Sequence, residues 1–203
     1  MDKIDYDFIE IGTADFDTVL QTCPNDNVGI SVEPIRTYLN RLPNKPKVNK
    51  VCAALVTEKQ YAESPVIDVY YVKEEVIRER NLGDWMKGCN SVGKPHDFHI
   101  RYFHNPSIWH HATPEERQSF QTVDLLERGI VTIEKVECLT YRMLFEQYGI
   151  NQVHLLKTDT EGQDAALLID IMSFYLRNEL FDLLPKKIQF EDNDHSNKLE
   201  MLV

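Results

Sequence analysis

What this chain lacks narrows its class before any motif is read. It contains no run of about 18 apolar residues, so no segment reads as a membrane-spanning helix. Positive charge is scarce: 22 Lys and Arg stand against 33 Asp and Glu, for a net charge of -11. Phosphate affinity rests on clustered Lys and Arg, which makes the chain a poor candidate for general nucleic-acid binding. Cys23, Cys52, Cys89 and Cys138 are scattered with no CxxC pair. That signals neither a disulfide framework nor a zinc knuckle, and it suits reduced thiols. The opening Met1-Asp2-Lys3-Ile4-Asp5 lacks the apolar core of a signal peptide. These absences together point to a soluble, cytoplasmic protein. Glycine is also sparse, with 8 residues, and none completes a GxGxxG motif after the first strand.

What is present has the rhythm of an α/β domain. Tyr6 to Ile11 is a short apolar run closed by Gly12, and Asp17 to Cys23 holds a short helix ended by Pro24. Val28 to Glu33 is a second strand, and Pro34 suits the first turn of the helix whose apolar face is Tyr38, Leu39 and Leu42. Val48 to Val56 reads as a third strand. Strand–helix–strand–helix–strand with short loops predicts a mostly parallel sheet with right-handed crossovers and helices on both faces. Regularity returns with a strand at Ile130 to Val136 and a helix marked by Leu139, Met143, Leu144 and Tyr148. Asn151 to Leu156 then forms a strand, Ala165 to Leu184 a helix with a break expected near Ser173, and Lys187 to Glu191 the last strand. The reading is one domain, with a core of residues 1–56 and 130–203. A loop-rich insertion over 57–129 follows the third strand and suits a lid.

Two places carry candidate chemistry. Glu33 closes the second strand 21 residues beyond Gly12. An acid in that position can accept both hydroxyls of a ribose, and the alternative is that Glu33 caps the next helix. The second and third positions of a GxGxxG pattern fall on Ala14 and Asp17, and the acids Asp15 and Asp17 face the helix start. That is hostile to the pyrophosphate of NAD and suits a cationic ligand without phosphate. The other place is Lys157-Thr158-Asp159-Thr160-Glu161-Gly162, where a strand turns into a helix. It sets two carboxylates at the carboxyl edge of the sheet, where open α/β sheets bind ligands.

Asp7-Phe8-Ile9-Glu10-Ile11-Gly12, Val32-Glu33-Pro34, Leu156 to Asp164 and Ile188-Gln189-Phe190-Glu191 resemble the FkbM family of S-adenosylmethionine-dependent methyltransferases. The likeness covers about two-thirds of the chain, and the middle is mostly unmatched. Two positions depart from the usual Asp-x-Gly-Ala-Asn-x-Gly loop: Glu10 replaces the aspartate and Phe16 stands at the last glycine. The resemblance implies a Rossmann-like class I methyltransferase fold and O-methylation of a sugar, glycan or other natural-product hydroxyl. At S-adenosylmethionine it implies Glu10, Gly12, Thr13, Ala14, Asp15, Glu33 and Pro34, with Ala54, and with Ser91 in a serine-containing loop. Asp159, Glu161 and Glu191 fall at the crevice.

Methyl transfer from a sulfonium is an in-line displacement in which positioning does most of the work, aided by a base at the acceptor hydroxyl. His195, four residues past Glu191, and Asp159 are the candidate bases. Asp159, Glu191 and Asp192 form a tentative oxygen-ligand set for Mg²⁺ or Mn²⁺, with ordinary crevice polarity as the alternative. In the middle tract Trp85, Tyr102, Phe103 and Trp109 can stack on a sugar, with His104, His110 or His111 hydrogen bonding. The alternative is that Trp85, Phe103 and Trp109 are the insertion's own small core. Glu161, Trp109 and His110 are the residues assigned to the acceptor. A second function of another class is a catalytically silent cofactor-fold module in a larger protein. Only 12 residues follow Glu191, too few for the helix and hairpin that complete a class I sheet. A shortened sheet is therefore expected, its last strand an edge covered by the insertion, a fused domain or a second subunit.

Overall fold

The computed structural model describes residues 3–102, 113 and 123–190. Trp109, His110, Glu191, Asp192 and His195 lie outside them, as do Phe103, His104 and His111. The chain divides into two compact units, residues 1–67 with 136–203, and residues 68–135.

The first unit is built on a five-stranded sheet in the order β3-β2-β1-β8-β9, comprising Val48–Val51, Gly29–Val32, Ile4–Ile11, Ile150–Thr158 and Lys187–Phe190. Every pairing in it is parallel. The order reverses between β1 and β8, which opens a crevice at their carboxyl ends. Buried parallel strands read as continuous apolar runs, and β1 does so: Phe8, Ile9 and Ile11 are buried. Alternate residues serve opposite faces. Ile9 and Ile11 pack with Tyr141 and Leu144 of one helix (α6, Tyr141–Gln147) and Leu167, Leu168 and Ile171 of another (α7, Asp164–Arg177). Phe8 packs the other way, with Leu20 of α1 (Val19–Thr22) and Leu39 of α2 (Arg36–Arg41). This is the expected Rossmann-like architecture, α/β with helices on both faces of a parallel sheet.

Local sequence accounts for most boundaries. Thr18 opens α1 with a capping box, its hydroxyl accepting from Gln21 N and the Gln21 side chain accepting from Thr18 N. Thr57 and Gln60 do the same for α3 (Glu58–Glu63). Pro34 stands before the N-cap Ile35 and not inside the first turn. The expected third strand is two: β3 ends at Val51, and β4 (Ala54–Leu55) leaves the sheet to pair in parallel with Cys138 and Leu139 of β7 (Thr132–Leu139). Helix α7 runs unbroken through Ser173, its apolar face carrying it past that position, and stops at Arg177. Glu179 then takes a left-handed φ of 55° before a short 3-10 turn at Phe181–Leu183. Among the described residues β9 pairs on one side only, with β8, and all four of its residues are exposed.

The second unit holds β5 (Val66–Tyr71) from Asp68 onward, paired antiparallel with β6 (Ser91–Val92), and the helices α4 (Glu74–Glu79) and α5 (Asp97–Ile100). Its core is Val72, Ile77, Met86, Cys89, Tyr102, Leu125 and Val131. Trp85 stacks on Tyr102 with ring centroids 5.8 Å apart and meets Phe98 edge-on at 4.9 Å. Trp85 thus packs against the unit's own small core, as the alternative has it, with Tyr102 buried beside it.

Candidate functional site

The loop from Gly12 to Thr18 joins β1 to α1 at the point where the strand order reverses. Three of its residues have left-handed backbone: Gly12 (φ 76°), Ala14 (φ 44°) and Asp17 (φ 52°). They occupy the three glycine positions of a GxGxxG loop, so the backbone keeps the glycine-loop shape with Ala and Asp in it. Each non-glycine residue in that region costs on the order of 1–3 kcal/mol, recovered from surrounding contacts. Gly12 is required by the protein itself: a Cβ there would lie 2.0 Å from the Asp159 carbonyl oxygen. The close approach it permits is that of the β8 backbone, tied by Asp159 N donating to Ile11 O at 2.9 Å.

Glu33, at the end of β2, is buried and holds backbone on both sides. Its Oε2 accepts from Ala14 N at 2.7 Å and its Oε1 from Ile35 N at 2.8 Å. The helix-capping alternative is thus partly realised, and the same carboxylate also shapes the loop. Burial pushes its acid up to about 7, although amide donors from Ile35, Ala14 and Thr13 pull the other way, and Asp15 adds to the rise. Three amide donors on a carboxylate with about four acceptor positions leave room for one more donor. Thr13 is buried, and its hydroxyl donates to Ala14 O at 3.3 Å.

Glu10 is fully buried, and its oxygens are occupied: Oε1 accepts from Val19 N at 2.8 Å and Oε2 from Leu20 N at 3.4 Å. Lys157 Nζ donates to the same Oε1 at 3.1 Å. Asp15 is matched by Arg41, Nη1 to Oδ2 at 2.9 Å, and Arg41 also lies over the Tyr38 ring at 5.9 Å. The negative charge that argued against NAD is therefore partly compensated from α2, by a partner 26 residues away that spacing did not reveal.

On the other side of the crevice, Asp159 presents a carboxylate whose side chain is 40% exposed, 4.0 Å from Lys157 Nζ. The turn after it is held by Asp164, fully buried, whose two oxygens accept from Thr160 N at 3.3 and 3.1 Å. Glu161 (φ 49°) and Gly162 (φ 95°) make the left-handed corner. Pro34 sits beside Glu33 at the start of α2. Ala54 is buried in β4, and Ser91 is buried in the second unit, its hydroxyl donating to Lys94 O at 2.7 Å. Of the tentative metal set only Asp159 is described, and among the described residues no group of three or more His, Cys, Asp or Glu is arranged to hold a metal. Sequence reasoning missed Lys157 and Asp164 as site-shaping residues. The Lys-x-Asp-x-Glu-Gly-x-Asp spacing carried that signal.

A parallel sheet reversing its order beside a left-handed loop, with acids closing the strands on either side of β1, defines a Rossmann-like α/β domain of the methyltransferase type. The sequence matches the methyltransferase FkbM domain over residues 10–195, most of the chain. The chain belongs to the FkbM methyltransferase family. Searches of curated proteins and of solved structures each found no match. No helix among the described residues is long and apolar enough to cross a membrane.

Proposed function

We propose that this methyltransferase takes its methyl group from S-adenosylmethionine and delivers it to a hydroxyl of a sugar or glycan. The observation that carries the reading is the pair of acids at the crevice, buried Glu33 closing β2 and half-exposed Asp159 following β8. A lining of carboxylate acceptors and loop amides, with Arg41 already engaged by Asp15, fits a ligand bearing hydroxyls and a cation and does not fit a pyrophosphate. S-adenosylmethionine, when bound, supplies an electrophilic methyl. In this reading Glu33 accepts from the ribose hydroxyls and the Thr13-Ala14-Asp15 loop lines the same pocket. Asp159 takes the acceptor's proton, and Glu161 orients the acceptor. The middle tract, with Trp109 and His110, is the proposed source of further acceptor contacts, and Glu191 and His195 are proposed to border the acceptor. Action in the cytoplasm on a small-molecule or glycan acceptor belongs to the same reading.

Titration calorimetry with S-adenosylmethionine and S-adenosylhomocysteine tests it first. Micromolar binding of both, followed by transfer of labelled methyl to a panel of sugars, is the expected outcome. Binding of neither would leave a silent module. Transfer only to non-sugar hydroxyls would correct the acceptor class.

A further inference from the structure

The loop after β1 has a glycine-loop backbone without its glycines. Left-handed φ values fall on Gly12, Ala14 and Asp17, and an L side chain resists that conformation at the last two. Something outside the loop must hold them. At Ala14 it is Glu33, through the 2.7 Å bond to the amide. At Asp17 it is Lys157, 140 residues away, whose ammonium donates to the Asp17 carbonyl at 2.9 Å.

Lys157 is well placed for this. Its β8 position pairs with Glu10 of β1, and its side chain is only 10% exposed. The ammonium donates at once to Glu10 Oε1 and to Asp17 O. Glu10 in turn accepts from Val19 N and Leu20 N, the first residues of α1. One buried ion pair therefore grips the loop on both sides of Thr18, by the carbonyl before it and the helix start after it. The Asp17 side chain is exposed. What Lys157 holds is the backbone of Asp17 and not its carboxylate.

We propose that Lys157 is a positioning residue that does for this loop what a third glycine does elsewhere. It keeps Asp17 in the left-handed conformation, so that the loop retains the shape that receives the cofactor. The proposal rests on the reading of this loop as the cofactor loop. It differs from a purely stabilising ion pair in one consequence: a glycine at position 17, which adopts the conformation without strain, makes the tie dispensable.

The test uses the full chain as parent, Lys157→Met, Asp17→Gly and the double variant. Calorimetry measures S-adenosylhomocysteine affinity, and hydrogen exchange measures protection of the Ala14 to Leu20 amides in ligand-free protein. If Lys157→Met does not fold, because Glu10 is left buried without a counter-ion, all four proteins are made with Glu10→Gln. Lys157→Met is expected to weaken binding at least tenfold and to lower loop protection at least tenfold. Adding Asp17→Gly is expected to return both to within threefold of the parent. A double variant no better than Lys157→Met overturns the proposal, as does Lys157→Met with parental loop protection. A parent that binds no S-adenosylhomocysteine would overturn the cofactor reading instead, and ligand-free exchange would still decide the tie.

Discussion

In the first unit the buried polar groups include four charged residues, Glu10, Glu33, Lys157 and Asp164, and each holds backbone. Among the described residues of the second unit they are Ser91 and the imidazoles His96 and His99. His99 is fully buried, its Nδ1 accepts from His96 N at 3.2 Å, and its carbonyl accepts from Leu125 N and Leu126 N. Burial, with His96 nearby, lowers His99 to about 4. The difference teaches what each unit needs from polarity. A buried charge is costly unless it is hydrogen-bonded, so the first unit has charges where loop shape matters, and each bonds main chain that would otherwise be unsatisfied. The second unit needs only to close a small core, and a neutral imidazole does that at lower cost.

The largest expected effect comes from two glycines with the same backbone hand. Gly12 (φ 76°) meets the Asp159 carbonyl at 2.0 Å from a built Cβ, whereas Gly129 (φ 66°) in the second unit has nothing within 4 Å. Gly129→Ala carries the conformational cost alone, about 1 kcal/mol. Gly12→Ala adds a backbone clash and is expected to exceed it by about 3 kcal/mol or more. Denaturant unfolding of both variants checks this, and equal losses would mean that β8 gives way at no cost.

Next come opposite responses to pH. Glu33 is raised from 4.5 to about 7, so its stabilising contribution is complete below 4.5 and is lost as pH rises through about 7. His99 is lowered from 6.5 to about 4, so its contribution is present above 6.5 and lost as pH falls through about 4. Each is worth at most about 3 kcal/mol. Between pH 5 and 8, Glu33→Gln should flatten the fall in melting temperature with rising pH. Between pH 6.5 and 4, His99→Gln should preserve the protection of the Leu125 and Leu126 amides, corrected for intrinsic exchange. If both variants respond in the same direction, the contrast between the units is broken.

The smallest effect on stability should fall on the exposed charge of the first unit. Asp159→Asn is expected to change stability by less than about 0.5 kcal/mol. It should leave cofactor affinity intact and lower the methylation rate at least tenfold, about 1.4 kcal/mol of activation free energy. A parental rate would remove Asp159 from the reaction. Exhaustive chelation with EDTA is the companion measurement, since loss of activity would revive the metal role that the described residues do not support.

The strand and helix succession of the first unit was legible from hydrophobic runs and their punctuation. So was the place of Glu33 at the end of the second strand, but its bond to Ala14 was not, because that bond forms only once β2 and the loop after β1 lie side by side. The splitting of the third strand at Cys52 and Ala53 was not, because a continuous apolar run does not show which neighbour each half joins. Asp15 read as free charge because Arg41 reaches it only once α2 is docked. Glu10 read as a cofactor ligand, yet its oxygens turn inward to α1 and Lys157.

By itself, then, the sequence determined the layers, the parallel crossovers and the two strand ends at which chemistry collects. Those follow from side-chain period and from glycine and proline placement, which act over a few residues. Only the tertiary structure decided what each charge does. Glu10, Asp17 and Lys157 meet because β1 and β8 lie side by side across some 140 residues of chain. Whether a buried charge is a ligand, a clamp or a liability depends on the groups that folding brings within hydrogen-bonding reach.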